Sequence, residues 1–548
     1  MSAGHLCFVL HSHIPYVRKS GVWPFGEEWL FEVMADSYIP LLNMLSALPP
    51  PKKPYVSVGL TPVLLEQLQD NYIKSRFEQY LFQRLDLCAK DMERHRDRPE
   101  RQALARMYEK SYHNMLFAFR DIYHRDLVSA FRKLQTGGRV ELLASAATHG
   151  YLPLLGTETA IRAQVKIGVD CYDRAFGNKP KGIWLPECAY RPAGKWKGPD
   201  AKEPVLRPGI EKYLAECGVN YFLVDHHTIE GGSAEGLYRE RFPFTQPLGK
   251  MPTEPSAINP SGKTTYRPYY VKSNGSGNVA VFGRNEKSGL QVWSGEWGYP
   301  GDGWYREFHK RDSVSGLQYW RVTDRQSRDL GTKAFYEPEK TQARVDENAM
   351  HFVGLVKELL SQQKTDAPPI VVAPYDSELF GHWWFEGIRW MKKVLESLPA
   401  EGIEPVSCGS YLAEHPPTQM ITLPESSWGA GGDHRIWLNQ DTEWMWTEIH
   451  ACERWMEEAA GKHIGNAALK PLLEQAAREL LLLESSDWEF LITTFQAKEY
   501  GIKRFKDHLE RFRAIQAAVE GRGTVNIEEL MEQDKLFKTL DVSVYRPG

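Results

Sequence analysis

The 548-residue sequence predicts an α/β protein in which seven parallel βα units nearly close a barrel. Three observations lead to this fold class. Short β-rich runs recur between polar, Gly and Pro residues. Helical patterns or long loops separate most of these runs, as in βα units. Several runs are continuously apolar, as expected for strands covered on both faces. An open, doubly wound sheet is the alternative that uses the same elements.

Each predicted strand is a run of four to six residues between turn or loop signals. In chain order the strands are His5–Leu10, Tyr55–Leu60, Val140–Ser145, Gly182–Leu185, Tyr221–Asp225, Val279–Phe282 and Ile370–Ala373.

Three regions fall outside this repeat and define the predicted domains. Residues 70–138 are too long for a crossover and carry apolar residues at helical spacing, so they form an inserted helical subdomain. Residues 226–345, rich in Gly, Ser, Pro, Tyr and Arg, are interpreted as long functional loops. Only helical stripes follow, which predicts a catalytic barrel over 1–409 and an all-helical C-terminal domain over 410–548.

Charge and cysteine content exclude several classes of protein. Lys+Arg 67 against Asp+Glu 71 gives a net charge of -4 with no basic patch, so nucleic-acid binding is not expected. Apolar runs are far shorter than the ~20 residues that span a bilayer, so no membrane association is expected. The seven scattered cysteines and the lack of a secretory signal indicate a cytoplasmic protein.

Tryptophan is unusually abundant, with 17 residues. Aromatic rings bind the CH-rich faces of sugars, although a Trp-rich core is the alternative. Trp293 lies close to a Gly- and Pro-rich segment, and Trp428 and Trp437 also lie in loop-like sequence. Tryptophans in such loops are better suited to sugar stacking than to a core.

In a barrel the active site lies where the strands end. Polar and ionisable residues follow six of the seven predicted strands, and they are His11, His13, His149, Glu187, Asp225, Arg284 and Asp376. Their convergence on one rim, among aromatic residues, favours an enzyme.

Glu187 and Asp376 are the candidate catalytic pair. Glycoside cleavage uses two carboxyl groups, one that attacks C1 or activates water and one that protonates the leaving oxygen. An aromatic surround and a charged neighbour raise the pKa of the acid. The alternative is that either residue pairs with an arginine or caps a helix.

His11 and His13 also permit a metal-centred hypothesis. At this spacing both imidazoles point to one side of a strand, and with Asp225 they could hold a metal for deacetylation or sugar cleavage. The alternative is that they donate hydrogen bonds to sugar hydroxyls. No nucleophile elbow or P-loop is present, which excludes serine hydrolases and P-loop NTPases.

Several segments resemble the signature regions of glycoside hydrolase family 57. They are His11-Ser12-His13, the run from Trp184 to Tyr190, and the run from Pro374 to Trp384. The similarity covers nearly the whole chain. Three further segments resemble the 1,4-α-glucan branching subgroup, namely Thr61 to Leu68, Gly298 to Asp302, and Trp428 to Trp437.

The resemblance implies an incomplete (β/α)7 barrel with an inserted helical subdomain and a helical C-terminal domain that contributes to a glucan groove. It assigns Glu187 as nucleophile and Asp376 as general acid/base of a retaining mechanism without metal or cofactor. Retention requires carboxyl groups about 5–5.5 Å apart. The implied reaction cleaves an α-1,4 linkage and transfers the chain to a 6-hydroxyl. An α-amylase or a 4-α-glucanotransferase on the same scaffold is the alternative. A catalytically silent glucan-binding protein is a further one.

The resemblance also implies a substrate site that binds an α-1,4-glucan. A mobile loop over 231–238 would carry Tyr238 over the covalent intermediate. Trp428 and Trp437 match tryptophans of the groove, and Trp23 and Trp293 match less closely. The full predicted substrate-binding set is His11, His13, Trp23, His149, Asp225, Tyr238, Arg284, Trp293, Trp428, Trp437 and Asp487. A monomer or small homo-oligomer is expected.

Overall fold

A computed structural model describes residues 3–198, 202–231, 262–273, 278–295, 297–327 and 329–547. Its strands are β1 Gly4–Ser12, β2 Val56–Leu60, β3 Val140–Ser145, β4 Gly182–Trp184, β5 Gly194–Trp196, β6 Val205–Arg207, β7 Tyr221–Val224, β8 Tyr269–Val271, β9 Ala280–Gly283, β10 Ile370–Asp376, β11 Ile403–Pro405 and β12 Met420–Ile421.

Helices connect most of these strands and make up most of the C-terminal region. They are α1 Glu27–Val33, α2 Ile39–Ala47, α3 Pro62–Gln69, α4 Asn71–Arg94, α5 Pro99–Phe117, α6 Leu127–Thr136, α7 Glu158–Phe176, α8 Ile210–Glu216, α9 His226–Glu230, α10 Glu286–Trp293, α11 Pro338–Ser361, α12 Gly387–Ser397, α13 Cys408–Glu414, α14 Glu443–His463, α15 Lys470–Leu483, α16 Asp487–Thr493, α17 Lys498–Val519 and α18 Ile527–Gln533.

The main sheet has the order β10-β1-β2-β3-β4-β7-β9-β8-β12, and β11 pairs with β1. Neighbours from β10 through β9 are all parallel. These seven strands are the seven predicted from the sequence, with ends that shift by up to three residues. The α/β class and the incomplete barrel are therefore confirmed.

The central strands are buried because helices cover the sheet. Every residue of β1 and β2 is buried, which explains the apolar run over residues 6–10 of β1 and the largely apolar sequence of β2. Phe8 of β1 packs on Phe352 of α11 and on Trp390 of α12, with ring centroids 5.9 and 6.0 Å apart. The core thus lies between the sheet and its helices. Polar groups lie instead at the carboxyl ends of the strands.

Parallel pairing brings the carboxyl ends of these strands to one edge. His11 of β1 lies opposite Asp376 of β10, and it also lies opposite Gly59 of β2. Glu187 follows β4, and Arg284 follows β9. This edge of the sheet is called the rim below.

Short strands are the main difference from the prediction. The strands β5, β6, β8, β11 and β12 have two or three residues each, too few to show an alternating pattern. Strand β12 lies beyond residue 410, where only helices were expected, and pairs with β8.

Among the described residues, no helix has the length and apolar composition needed to cross a bilayer.

Candidate active site

Glu187 occupies an unusual backbone conformation directly after β4. It lies in a tight turn, Pro186–Cys188, with φ 59° and ψ 23°. The next residue, Cys188, also has a positive φ, at 48°. Such conformations cost about 1–2 kcal/mol for residues with a side chain, and they concentrate at functional sites. The backbone N–H of Trp428 donates to the Glu187 carbonyl oxygen at 2.9 Å and stabilises this turn.

Two side chains of the C-terminal region bind the Glu187 carboxylate. The indole Nε1–H of Trp428 donates to Oε2 at 2.7 Å, and the Ser486 hydroxyl is 3.1 Å from Oε1. Hydrogen bonds to an ionised carboxylate are roughly twice as strong as neutral ones. Both carboxylate oxygens are therefore held in place.

Burial raises the pKa of Glu187 to about 7. The hydrogen bond from Trp428 acts in the opposite direction, and the negative charges of Asp376 and Asp487 raise the pKa further. The charge of Asp376 therefore acts on the carboxyl group of its predicted partner. A carboxyl whose pKa lies this far from the ordinary value, at the edge of a sheet, is a candidate for a functional site.

Asp376 is the last residue of β10 and is partly accessible, whereas most of its neighbours along the strand are buried. The next residue, Ser377, contacts Ser12 at the end of β1, with 2.7 Å between the two hydroxyl oxygens. The register of β1 and β10 therefore places Asp376 beside His11 on the rim.

Glu378 is a third acidic residue of the site that was not among the predicted site residues. Burial, and secondly the charge of Asp376, raises the pKa of Glu378 to about 8. The Tyr38 hydroxyl donates to its Oε1, and so does the backbone N–H of His13, at 3.1 Å. The segment from Pro374 to Trp384 contains Glu378, but only the fold shows that its side chain is buried within reach of the charge of Asp376.

Three predicted histidines form one cluster on the rim. His11 and His149 share a hydrogen bond with 3.0 Å between their Nε2 atoms, and His13 stacks on His149 with centroids 4.0 Å apart. Burial, and then the charge of His13, lowers the pKa of His11 and of His149 well below the usual range. Both rings are therefore neutral at pH 7. His149 Nδ1 is 3.8 Å from Glu187 Oε1.

His13 differs from its two neighbours because it forms an ion pair. Its Nε2 is 3.0 Å from both carboxylate oxygens of Asp487. Burial alone would lower the pKa of His13, but the Asp487 carboxylate raises it overall. Burial would likewise raise the pKa of Asp487, and His13 lowers it overall. The pKa values of these imidazoles thus move in opposite directions, down for His11 and His149 and up for His13.

Two groups of side chains at the rim could hold a metal ion. The ligand atoms of His13, His149 and Asp487 lie within 4.8 Å of one another, and those of Asp225, His226 and His227 form a second such group. The hypothesised set of His11, His13 and Asp225 does not form one group among the described residues. Asp225 is instead bound by Arg284 and His226.

Asp225 and Arg284 form a buried ion pair. Arg284 Nε donates to Asp225 Oδ1 at 2.9 Å, and Nη2 donates to Oδ2 at 2.7 Å. Burial alone would raise the pKa of Asp225, but the guanidinium holds it well below the usual range. The guanidinium also lies over the Trp428 ring at 6.0 Å. This pair therefore adjoins the residue that binds Glu187.

The four predicted tryptophans occupy different environments. The Trp293 ring lies 6.2 Å from the Trp428 ring, next to the site. Trp23 is 76% exposed in the loop after β1 and lies outside the hydrogen-bonded cluster around Glu187. Trp437 is fully buried and stacks on Tyr151 at 4.3 Å. A buried ring cannot stack on a sugar, so the expectation of direct sugar stacking by Trp437 requires correction.

Tyr238 lies outside the described residues and stays a prediction. Ser486 was not predicted, because a serine between two helices has no distinguishing pattern and its partner Glu187 is 299 positions away.

Two family models match the chain. Residues 7–424 match the model for glycosyl hydrolase family 57, and residues 448–545 match the model for the 1,4-alpha-glucan branching enzyme C-terminal region. Each model covers a region that contributes directly to the candidate site.

Individual relatives are similar over the full chain. A 1,4-alpha-glucan branching enzyme of Thermococcus kodakarensis is 45% identical over 559 residues, covering 99% of this chain and 78% of the relative. A branching enzyme structure of the same family from Pyrococcus horikoshii has 44% identity and a TM-score of 0.88, covering 100% of this chain and 97% of that one. An alpha-amylase structure from Thermotoga maritima has 28% identity and a TM-score of 0.81, with both chains fully covered at 100%.

Proposed function

The chain belongs to glycosyl hydrolase family 57, and from this membership we infer that it is a 1,4-α-glucan branching enzyme. It cleaves an α-1,4 linkage and transfers the released chain to a 6-hydroxyl of a glucan. The match of residues 448–545 to the branching-enzyme C-terminal model supports this activity over others in the family. The substrate class that follows is an α-1,4-glucan.

We propose that Glu187 is the nucleophile and Asp376 the general acid/base of a retaining reaction. Glu187 attacks C1 while Asp376 protonates the leaving oxygen, which gives a covalent glucosyl ester. The acceptor 6-hydroxyl then attacks C1, Asp376 removes its proton, and the Glu187 carboxylate leaves. The observation that carries the assignment is the pair of hydrogen bonds from Trp428 and Ser486 to the two oxygens of Glu187, because these bonds favour the ionised carboxylate that a nucleophile requires.

The surrounding polar groups fit the recognition of sugar hydroxyls. We propose that His11, His13 and His149 contact the glucose unit whose linkage is cleaved, with Asp487 orienting His13. Arg284 and Asp225 would support Trp428, while Trp293 would form part of the groove. Burial of these groups excludes water, which favours transfer to an acceptor over hydrolysis.

We also propose the domain division and the compartment. A barrel over 1–409, with the helical insertion at 70–138, would carry the catalytic pair, and residues 410–548 would complete the groove. Seven free cysteines fit a reducing cytoplasm, where a glycogen-like polymer would be the substrate.

Product analysis on amylose tests this function. The wild-type enzyme should lower iodine staining with little rise in reducing ends and should form α-1,6 linkages that a debranching enzyme releases. Glu187→Ala and Asp376→Ala should both abolish the new linkages.

An α-amylase is the second candidate, favoured by the full-length similarity to the Thermotoga maritima structure. A large rise in reducing ends without α-1,6 linkages would establish it. Transfer that yields only α-1,4 products would indicate a 4-α-glucanotransferase. Activity that disappears on chelation and returns with a divalent metal would instead revive the metal-dependent hypothesis.

A further inference from the structure

We propose that Ser486 is a positioning residue that orients the nucleophilic carboxylate of Glu187 from the C-terminal region. This inference rests on the proposed role of Glu187. Ser486 is fully buried directly before α16. Its Oγ is 3.1 Å from Glu187 Oε1 and 2.9 Å from His149 Nδ1.

The number of available protons determines the direction of these hydrogen bonds. A serine hydroxyl has one hydrogen to donate and can also accept. The ionised Glu187 carboxylate is the strongest acceptor within reach, so Ser486 donates to Oε1. The hydroxyl oxygen then accepts from His149, which must carry its proton on Nδ1.

The proton position on His149 also determines the direction of its hydrogen bond with His11. A neutral His149 with its proton on Nδ1 has a lone pair on Nε2, which accepts from Nε2–H of His11 at 3.0 Å. Burial lowers the pKa of both rings, in agreement with two neutral imidazoles. Donation therefore runs in one direction, from His11 through His149 and Ser486 to Glu187.

Backbone hydrogen bonds hold Ser486 against the rim. Its N–H donates to the His149 carbonyl oxygen at 3.1 Å, and Tyr151 N–H donates to the Glu484 carbonyl oxygen at 3.2 Å. His149 itself has a φ of 60°. The position of the hydroxyl is therefore set by main-chain pairing between the loop after β3 and the turn before α16.

Together Ser486 and Trp428 determine the plane of the carboxylate. The two residues donate to different oxygens of Glu187 and come from separate segments of the C-terminal region. With one donor removed, the carboxylate can rotate about its last bond, and fewer bound complexes have an oxygen directed at C1. The loss should appear in kcat and leave KM nearly unchanged.

The charge on Glu187 also depends on this hydroxyl. The titratable groups that face the carboxyl are Asp376, Asp487, His13, His149, Tyr151 and Cys188. Burial and the two aspartates oppose ionisation, and the Ser486 hydrogen bond favours it. Removal of the hydroxyl should move the acid limb of the kcat profile to higher pH.

The test compares Ser486→Ala and Ser486→Thr with the wild-type enzyme. Branching of amylose is measured as a function of substrate concentration and pH. Ser486→Ala should lower kcat about 10- to 100-fold, with KM within about twofold, and raise the acid limb by about half to one pH unit. Ser486→Thr, which keeps a hydroxyl, should recover most of kcat and the wild-type acid limb.

Ser315→Ala is the matched control because Ser315 is also buried and its hydroxyl contacts Asp312, away from Glu187. It should keep the wild-type kcat and pH profile. Wild-type kcat and acid limb in Ser486→Ala would overturn the proposal. A loss of kcat in Ser315→Ala or in Ser486→Thr that equals the loss in Ser486→Ala would also overturn it.

A folding defect in the alanine variant leaves the proposal testable. Ser486→Thr and Ser486→Val have nearly the same shape and differ in the hydroxyl, so equal kcat values and equal acid limbs for these two would also overturn it. Failure of the proposed function has a different signature. Full branching activity in Glu187→Ala would show that the proposed function is wrong, and so would a wild-type product without α-1,6 linkages. Neither result depends on the residue at position 486.

Discussion

The rim of the sheet and the C-terminal region contribute to the active site in different ways. Strand register places Asp376 and His11 side by side at the rim. Trp428, Ser486 and Asp487 instead come from turns and helix starts. Backbone pairing with the loops after β3 and β4 holds these turns in place. The groups proposed to react therefore lie on the barrel, and the groups that set their orientation and charge come from outside it.

The two regions also differ in electrostatics. The rim histidines His11 and His149 are neutral because burial outweighs their other interactions. The pKa of His13 is raised instead, because Asp487, from the C-terminal region, supplies a carboxylate partner. A change in the C-terminal region should therefore alter protonation at the rim.

The largest effect is expected at the rim. Glu187→Gln keeps the size of the side chain but removes the nucleophile, and it should lower branching activity by at least about 10³-fold. The assay is the release of branches from treated amylose by a debranching enzyme, with circular dichroism to verify folding. A loss of branching activity of less than about tenfold would contradict the role of Glu187 as nucleophile.

The next effect concerns stability in the C-terminal region. Trp437 is fully buried against Tyr151, so Trp437→Ala should lower the free energy of unfolding by about 3–5 kcal/mol. Trp437→Phe keeps a stacked ring and should lose less than half of that. Denaturant unfolding measures both. If Trp437→Ala remains as stable as wild type and only substrate affinity falls, Trp437 is a groove residue after all.

A smaller effect is expected when the C-terminal donor to Glu187 is removed. Trp428→Phe keeps the ring and loses the Nε1–H bond to Oε2, so kcat should fall about 10- to 100-fold. Trp446→Phe is the matched control because it loses an indole hydrogen bond to a backbone carbonyl at 2.8 Å. Equal losses in the two variants would indicate a general packing defect instead.

The smallest effect concerns pH. Glu187 must be ionised to attack, and its pKa is about 7, so activity should fall as pH drops below 7. Trp428 lowers this pKa, so the acid limb of Trp428→Phe should lie at higher pH than in wild type. The measurement is kcat/KM between about pH 5 and 9. An acid limb near pH 4 in wild type would mean that Glu187 titrates as an ordinary carboxyl.

Particular residues show how far sequence reasoning reaches. The seven parallel strands were predictable because each is an apolar run followed by a polar turn, a local pattern that burial on both faces imposes. Glu187 and Asp376 were found because they lie directly after such runs. Ser486 carries no local signal, since its importance depends on which distant side chains lie next to it, and Glu378 lies in the same segment as Asp376 but is distinguished only by its burial and its partners.

The sequence by itself determined the strands, their parallel connection and the polar residues at their ends, because these follow from local periodicity and chain connectivity. Only the tertiary structure decided which imidazole pairs with a carboxylate, that Trp437 is buried, and that Trp428 and Ser486 bind different oxygens of Glu187. Burial and hydrogen bonding depend on neighbours in space. In this protein those neighbours are separated by hundreds of positions in the chain.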